Sequence, residues 1–266
     1  MVRSPSSPIS ARAELVEAPS RARPSTGSGR ARLLCLAALA MLMPASALAQ
    51  LSPEARLAAY RERVQRLEDE DAIENLQATY GYYFDKGLWS EVADLFAADG
   101  SFEYGQRGVY IGKDRIRRAL LLFGPEGLSQ GYLNNHMQLQ SVITVAPGGR
   151  TATARWQGMV MLSQPGANGV WGVGQYENAY VKERGVWKID KLHFYVQAEA
   201  DYDLGFSRGP LRMDGPSALF PPDRPPTEVY RAFPSGYTPP FSFVHPVTGK
   251  PLPVQQPADA VARPAP

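Results

Sequence analysis

The sequence of 266 residues is poor in cysteine and histidine, with one and three. One cysteine excludes a disulfide scaffold, a cysteine-rich zinc site and an iron–sulfur site. Charge of one sign is lacking too. The net charge is +2, but residues 1–49 hold six of the 28 Lys and Arg and only two of the 26 Asp and Glu. The remainder is slightly acidic and has no basic stripe, so no nucleic-acid partner is expected. The apolar run Leu33 to Met43 is too short to span a bilayer. No phosphate loop and no H-E-x-x-H occurs, and no strand-to-helix nucleophile elbow is expected. Gly172-Val173-Gly174 falls mid-strand, which excludes a dinucleotide fingerprint. Nothing in the spacing of the histidines suggests a metal, and no cofactor is expected.

Arg30 and Arg32 precede the apolar run, and Pro44 and Ala47-Leu48-Ala49 follow it. A charged flank, a short apolar core and a small-x-small site form an export signal, with cleavage expected after Ala49 and a periplasmic destination. Cys35 lies inside this segment, so the mature protein would have no cysteine. Residues 2–29, rich in Ser, Pro, Arg and Ala, read as a disordered leader or a misassigned start.

From residue 50 the pattern becomes periodic. Ser52-Pro53-Glu54 starts a helix to about Leu67, and Asp69 or Asp71 starts a second, ended by Gly87. Leu88 to Ala97 reads as a third helix, Asp99-Gly100 as a turn, and Lys113 to Phe123 as a fourth helix. Short strands are expected at Ser101 to Gln106 and Val109 to Ile111. Four long strands follow: Asn134 to Val145, Thr151 to Ser163, Val170 to Lys182 and Trp187 to Glu199. Their Gly-containing connectors make antiparallel hairpins. The order implies one α+β domain over 50–199, a curved, mostly antiparallel sheet wrapped around the N-terminal helices. Residues 200–266 are rich in proline yet keep Phe206, Tyr230, Phe233, Tyr237, Phe241 and Phe243. An aromatic-rich chain without regular structure reads as an arm packed on the domain or on a neighbouring subunit. Its last dozen residues read as disordered.

Four strings carry a family resemblance: DAIENLQATYGYYFDKGLWSEVADLFAADG, VYIGKDRIRRALL, NNHMQLQSVITVAPGGRTATARW and GQYENAYVKERGVWKIDKLHFY. Over about Asp69 to Val196 the chain resembles the SnoaL-like proteins of the nuclear transport factor two-like superfamily. The resemblance implies a cone-shaped sheet. That fold hosts dehydratases, isomerases, cyclases, epoxide hydrolases and non-catalytic binders. In polar layout the chain is similar to scytalone dehydratase and the bile-acid dehydratases, which use an Asp and a His at the base of a conical pocket with tyrosines nearby. This implies the catalytic set Asp85, His136, Tyr80 and Tyr104. The second pocket histidine of scytalone dehydratase has no match, because Trp156, Gln157 and Met161 stand on that strand. PPTEVYRAFPSGYTPPF and HPVTGKP look like the arms of bacterial SnoaL-like proteins, some of them similar to γ-formaldehyde lyases of lignin-derived aromatic dimers. The resemblance to the dehydratases also implies a trimer. A dimer is the alternative.

The residues themselves leave choices open. Asp85 ends an aromatic-lined helix, where the dipole disfavours an acid, so a compensating partner is expected. Tyr80 is about 140° away on an ideal helix and is either a site residue or a core tyrosine. Alternation puts His136 with Asn134, Gln138 and Gln140 on a polar face, either solvent or pocket. A histidine near its ordinary pKa both takes and gives a proton. Tyr104 shares parity with Phe102. Glu103 and Arg107 point the other way unless Gly105 and Gly108 permit a bulge that re-aims them, and Arg107 would then bind a phenolate or carboxylate. Trp89, Trp156, Tyr176 and Tyr195 suit an aromatic ligand or a core, and His193 is a second acid–base candidate. Three functions are weighed: a cofactorless lyase acting on a hydroxylated aromatic, a non-catalytic hydrophobic binder, and a ketosteroid-type isomerase.

Overall fold

The computed structural model describes residues 52–127, 130–167 and 169–261. The expected leader and export signal lie outside these residues, as do 262–266. Helix α1 (Pro53–Asp85) begins as expected, with the Ser52 hydroxyl accepting the Ala55 N–H at 3.2 Å. It does not break at Asp69 or Asp71, so the two expected helices are one. Asp69 is no cap. Its buried carboxylate accepts from Lys182 Nζ at 2.6 Å and from Trp187 Nε1 at 3.0 Å. Asp69, Ile73, Gln77, Tyr80, Gly81 and Phe84 form the buried stripe of α1.

Helix α2 (Trp89–Asp94) is shorter than expected, because Phe96 already opens strand β1 (Phe96–Tyr104). The expected turn at Asp99-Gly100 is an interruption inside that strand, where its register against the last strand shifts between Phe96 and Ser101. A Cβ on Gly100 would lie 2.9 Å from the Ile189 carbonyl, so only glycine allows the approach. Strand β2 (Val109–Ile111) leads to α3 (Lys113–Leu120), which tightens into a 3₁₀ turn at Leu121–Phe123.

The four long strands are β3 (Leu133–Val145), β4 (Thr151–Ser163), β5 (Val170–Glu183) and β6 (Val186–Asp201). The sheet order is β2-β1-β6-β5-β4-β3. Every pairing is antiparallel except β1 with β6. Register shifts at Leu139/Val142, Val173/Gly174 and Ala179/Tyr180 bend the sheet around the helices. Its concave face and the helices enclose Ile73, Phe84, Val92, Phe102, Leu192 and Phe194, all in one apolar core.

After the short helix α4 (Gly205–Arg208) the arm makes only isolated bridges, such as Val109↔Arg224 and Tyr230↔Val261. It crosses the outer face of the sheet. Tyr230, Tyr237 and Ala260 pack on Tyr195. Arg155 donates to the carbonyls of Pro239 at 2.7 Å and Pro240 at 3.0 Å, and its guanidinium lies 4.1 Å from the Phe241 ring centroid. The expected disorder of the last dozen residues is corrected up to Val261. Ala260 is fully buried and the Gln256 side chain accepts the Thr238 N–H at 3.1 Å. Among the described residues no helix is long and apolar enough to cross a membrane.

Candidate active site

The end of α1 is tied to β3. Asp85 Oδ1 accepts the backbone N–H of His136 at 2.6 Å, and Asn134 Nδ2 donates to the Phe84 carbonyl at 3.0 Å. These bonds compensate an acid at the negative end of a helix dipole. Gly81 makes the approach possible. A Cβ there would stand 2.9 Å from Gln138 Cγ and 3.2 Å from the His136 carbonyl.

The His136 side chain is 1% exposed, and its Nδ1 is 3.8 Å from Asp85 Oδ1. That is ion-pair range but too long for a hydrogen bond. Neither ring nitrogen has a hydrogen-bond partner among the described residues. The ring packs 4.2 Å from Phe84 and 6.4 Å from Phe123, centroid to centroid. Burial lowers its pKa and Asp85 opposes the shift. At neutral pH the imidazole is therefore uncharged, with one nitrogen free to accept a proton.

Aromatic rings close around it. Tyr80 meets Tyr176 edge-on at 6.2 Å, Tyr176 meets Phe194 at 4.5 Å, Phe194 meets Tyr104 at 4.8 Å, and Tyr104 meets Phe123 at 4.9 Å. Burial raises the pKa of all three phenols, so each stays protonated and able to donate. Tyr176, Tyr104 and the Asp85 carboxylate push the Tyr80 pKa further up.

Arg107 reaches the same side. Gly105 (φ 57°) and Gly108 (φ 89°) turn the chain, and the guanidinium lies 4.7 Å from the Phe123 centroid and 5.7 Å from Tyr104. Its Nη2 bonds Asp214 at 2.7 Å, while Nη1 is buried without a partner among the described residues. Glu199 lies beside both. Burial raises its pKa, and Arg107 and Tyr104 draw it back. Strand parity hides Glu199, because Val196 pairs with Gly174 but Ala198 with Val173, and the extra residue reverses the faces.

Glu103, His193 and Tyr195 are not in this pocket, which corrects their expected role. β1 and β6 pair Glu103 with His193 and Tyr104 with Phe194, and alternation sends the first pair to the outer face. There Glu103 accepts the Thr227 N–H at 2.7 Å and the Thr227 hydroxyl, and His193 stacks 3.7 Å from Tyr195. His193 Nδ1 is 3.4 Å from Glu103, and burial pushes the His193 pKa down to about 3. Trp156 lies in the core, where its Nε1 donates to the Tyr180 hydroxyl at 3.0 Å. Trp89 donates to the Gly124 carbonyl at 3.1 Å and flanks Phe84 at 5.1 Å. With Asp85, Phe123 and Asn134 it lines a gap of about 30 Å³. A groove of about 300 Å³ is lined by Gly81, Tyr82, Asp85, His136, Met137 and Leu139, while the His136 imidazole itself stays closed to solvent. His245 Nδ1 accepts the N–H groups of Val247 and Thr248 in a turn of the arm.

G-x-S-x-G does occur in the sequence, at 127–131 and 205–209. The first string includes undescribed residues. In the second, Ser207 sits exposed within α4 rather than at the tip of a strand-to-helix turn. Among the described residues no group of three or more His, Cys, Asp or Glu is placed to hold a metal ion.

Residues 65–193 match the SnoaL-like domain. The matched stretch runs from α1 into β6 and takes in the curved sheet and the helices packed on it. No curated protein matches. A candidate scytalone dehydratase from Novosphingobium aromaticivorans is 21% identical, with 59% of this chain and 97% of that one covered and a TM-score of 0.48. A nuclear transport factor two-like protein with a cystatin-like fold from the same organism is 24% identical, with 53% and 88% covered and a TM-score of 0.42. ActVI-ORFA from Streptomyces coelicolor is 14% identical, with 48% and 96% covered and a TM-score of 0.43.

The polar residues behind Tyr176 escaped sequence reasoning. Gln77 on α1, Gln138 on β3, and Asn178 and Tyr180 on β5 are linked by hydrogen bonds of 2.8 to 3.1 Å. A glutamine on a helix reads as surface, and only the unbroken apolar periodicity around Gln77 signals otherwise.

Proposed function

We propose that this protein is a cofactor-independent lyase acting on a bulky hydroxylated aromatic compound. The observation that carries the reading is the His136 imidazole, buried beside Asp85 among aromatic rings with neither nitrogen satisfied among the described residues. A buried polar group without a partner costs roughly 1–3 kcal/mol and calls for an explanation, which a ligand oxygen beside His136 would supply. His136 takes the phenolic proton of a para-hydroxybenzylic alcohol. The ring electrons then expel the benzylic oxygen, which leaves as water with the imidazolium's proton, relayed through the hydroxyl of Tyr104 or Tyr80 so that neither phenol is left ionised, and a quinone methide remains. A neighbouring hydroxymethyl group is then lost as formaldehyde, its hydroxyl proton released and its C–C electrons restoring the phenol as a stilbene. Arg107 Nη1 holds the phenolate oxygen. Entry of the substrate requires Phe123 to swing away from Tyr104 and His136. Lignin-derived dimers fit this chemistry. Action in the periplasm and assembly into a homo-oligomer complete the proposal, and rest on the N-terminal segment and the family resemblance.

The 3.8 Å gap between Asp85 and His136 favours one other reading, a binding pocket in which Asp85 only anchors β3. Incubation with phenolic diarylpropanediols and phenylcoumarans, without added cofactor, separates the two. Formaldehyde matching substrate loss, and abolished by His136→Ala, supports the lyase. Turnover that survives His136→Ala, or tight binding without turnover, refutes it.

A further inference from the structure

The network behind Tyr176 has a direction. The Trp156 indole N–H can only donate, and it donates to the Tyr180 oxygen at 3.0 Å. The Tyr180 hydroxyl must then donate onward, and it does so to Gln77 Oε1 at 2.8 Å. A second donor-only group agrees. The His193 backbone N–H donates to Asn178 Oδ1 at 3.3 Å, which turns Asn178 Nδ2 toward Gln77 Oε1 at 3.0 Å. With its oxygen so engaged, Gln77 presents its amide N–H, which donates to Gln138 Oε1 at 2.8 Å. A third constraint comes from the other end. The His136 carbonyl can only accept, and it takes Gln138 Nε2 at 2.9 Å. The same Nε2 reaches the Tyr176 oxygen at 3.3 Å. The indole, one backbone N–H and one backbone C=O thus fix both glutamine amides in one sense.

The consequence falls on Tyr176. Its oxygen is the terminal acceptor of the chain, so its O–H has no role within the network. Tyr176 borders Tyr80 and Phe194 in the ring around His136.

We infer that Tyr176 is the hydrogen-bond donor which the pocket presents to a substrate oxygen, with Trp156, Tyr180, Gln77 and Gln138 as the residues that orient it. The inference deepens the proposed lyase function and rests on it for the identity of that oxygen, a hydroxyl or phenolate of the aromatic substrate. Tyr176 keeps its proton throughout, because burial holds the phenol protonated and Gln138 only partly offsets this. Hydrogen bonds in series polarise one another, so the donor is stronger than an isolated phenol.

The test has two arms. Ultraviolet resonance Raman spectra of wild type minus Tyr176→Phe isolate the Fermi doublet of this one phenol. Its intensity ratio rises when the oxygen accepts and falls when the hydroxyl donates. An acceptor-type ratio in the unliganded protein, moving toward the donor type with bound phenolic ligand, is expected. A donor-type ratio without ligand, or no change on binding, overturns the inference whether or not any compound is turned over. In the second arm, Tyr176→Phe lowers kcat about thirtyfold with KM little changed, as loss of a preorganised donor does. Gln138→Leu, checked for folding by its thermal midpoint, lowers kcat about tenfold with the same split. Wild-type kcat in Tyr176→Phe overturns the inference while leaving the lyase reading intact. Absence of all turnover in the wild type defeats the lyase reading, and the spectra still decide the orientation of Tyr176.

Discussion

Replacing Asp85 by asparagine tests the coupling between α1 and His136 with little change of shape. The amide of Asp85→Asn would keep an oxygen for the His136 N–H, now 2.6 Å from Asp85 Oδ1, but lose the charge. A charge-assisted bond becomes a neutral one, at a cost of about 1 kcal/mol in stability. The larger effect is on the imidazole. Opposite charges 3.8 Å apart interact by about 4 kcal/mol at an effective dielectric constant near 20. Asp85 is 16% exposed on its side chain, so screening reduces the coupling to about 1 to 2 kcal/mol. Burial already holds the His136 pKa below its ordinary value. Without the carboxylate it falls further. His136 is then still neutral at pH 7 but a weaker base, and Brønsted behaviour predicts a loss of roughly three- to tenfold in kcat/KM. The acid limb of the kcat/KM profile moves to lower pH. The assay is formaldehyde release across pH, beside a thermal melt of each protein. An acid limb that stays in place, or moves upward, refutes the assignment of Asp85 as the charge that sustains His136.

Gly81→Ala gains about 1 kcal/mol of helix propensity but forces a Cβ to 2.9 Å from Gln138 and 3.2 Å from the His136 carbonyl. A net loss near 1 kcal/mol by denaturant melt is expected, together with a rate loss of tens-fold, since small misplacements of reacting groups are costly. Wild-type activity would show that the approach of α1 to β3 does not position the base. His193→Leu tests the outer face. The His193 pKa is about 3 when folded and near 6.5 when unfolded. Its neutral form therefore contributes fully above pH 6.5, and the contribution is lost as pH falls toward 3. The wild type should lose a few kcal/mol over that window, and the variant should lose less. Parallel stability curves would contradict the burial argument. Asp69, whose pKa is lowered by Lys182, Trp187 and Gln65 against burial, contributes above about pH 4 and loses that contribution on acidification below it. Asp69→Asn should flatten the acid arm of the urea-midpoint profile, and an unchanged arm would count against the bond to Lys182.

What the chain reveals of itself in one dimension follows from how local each signal is. Turn residues bracket β4 tightly, so Thr151 and Ser163 were readable as its ends. Asp69 misleads because its partners, Lys182 and Trp187, lie more than a hundred residues away, and an aspartate without visible partners resembles a cap. Parity groups His136 with Asn134 and Gln138 and Tyr104 with Phe102, but leaves open whether the His136 face is solvent or pocket, and it says nothing of Glu199, where one extra residue reverses the alternation. It also could not say which face of β6 the arm would cover, and so could not separate His193 from His136. The polar chain from Trp156 to Tyr176 is a property of three strands and a helix together, and no window of sequence contains it.

The one parallel pairing has a consequence for the order in which the molecule is made. β3, β4, β5 and β6 join through short connectors and need little loop closure, but β1 waits for β6, with Tyr104 opposite Phe194 ninety residues later by number. Non-local pairings of this kind slow folding, because chain entropy is lost before contacts repay it. On a ribosome, a nascent chain ending before β6 leaves β1 with only the short β2 beside it, and the pocket without a wall. Tyr104 and Phe194 cannot come together before β6 is available, so the wall they form together depends on it. Until then, the aromatic side chains of β1 and α1 remain open to chaperones and to aggregation.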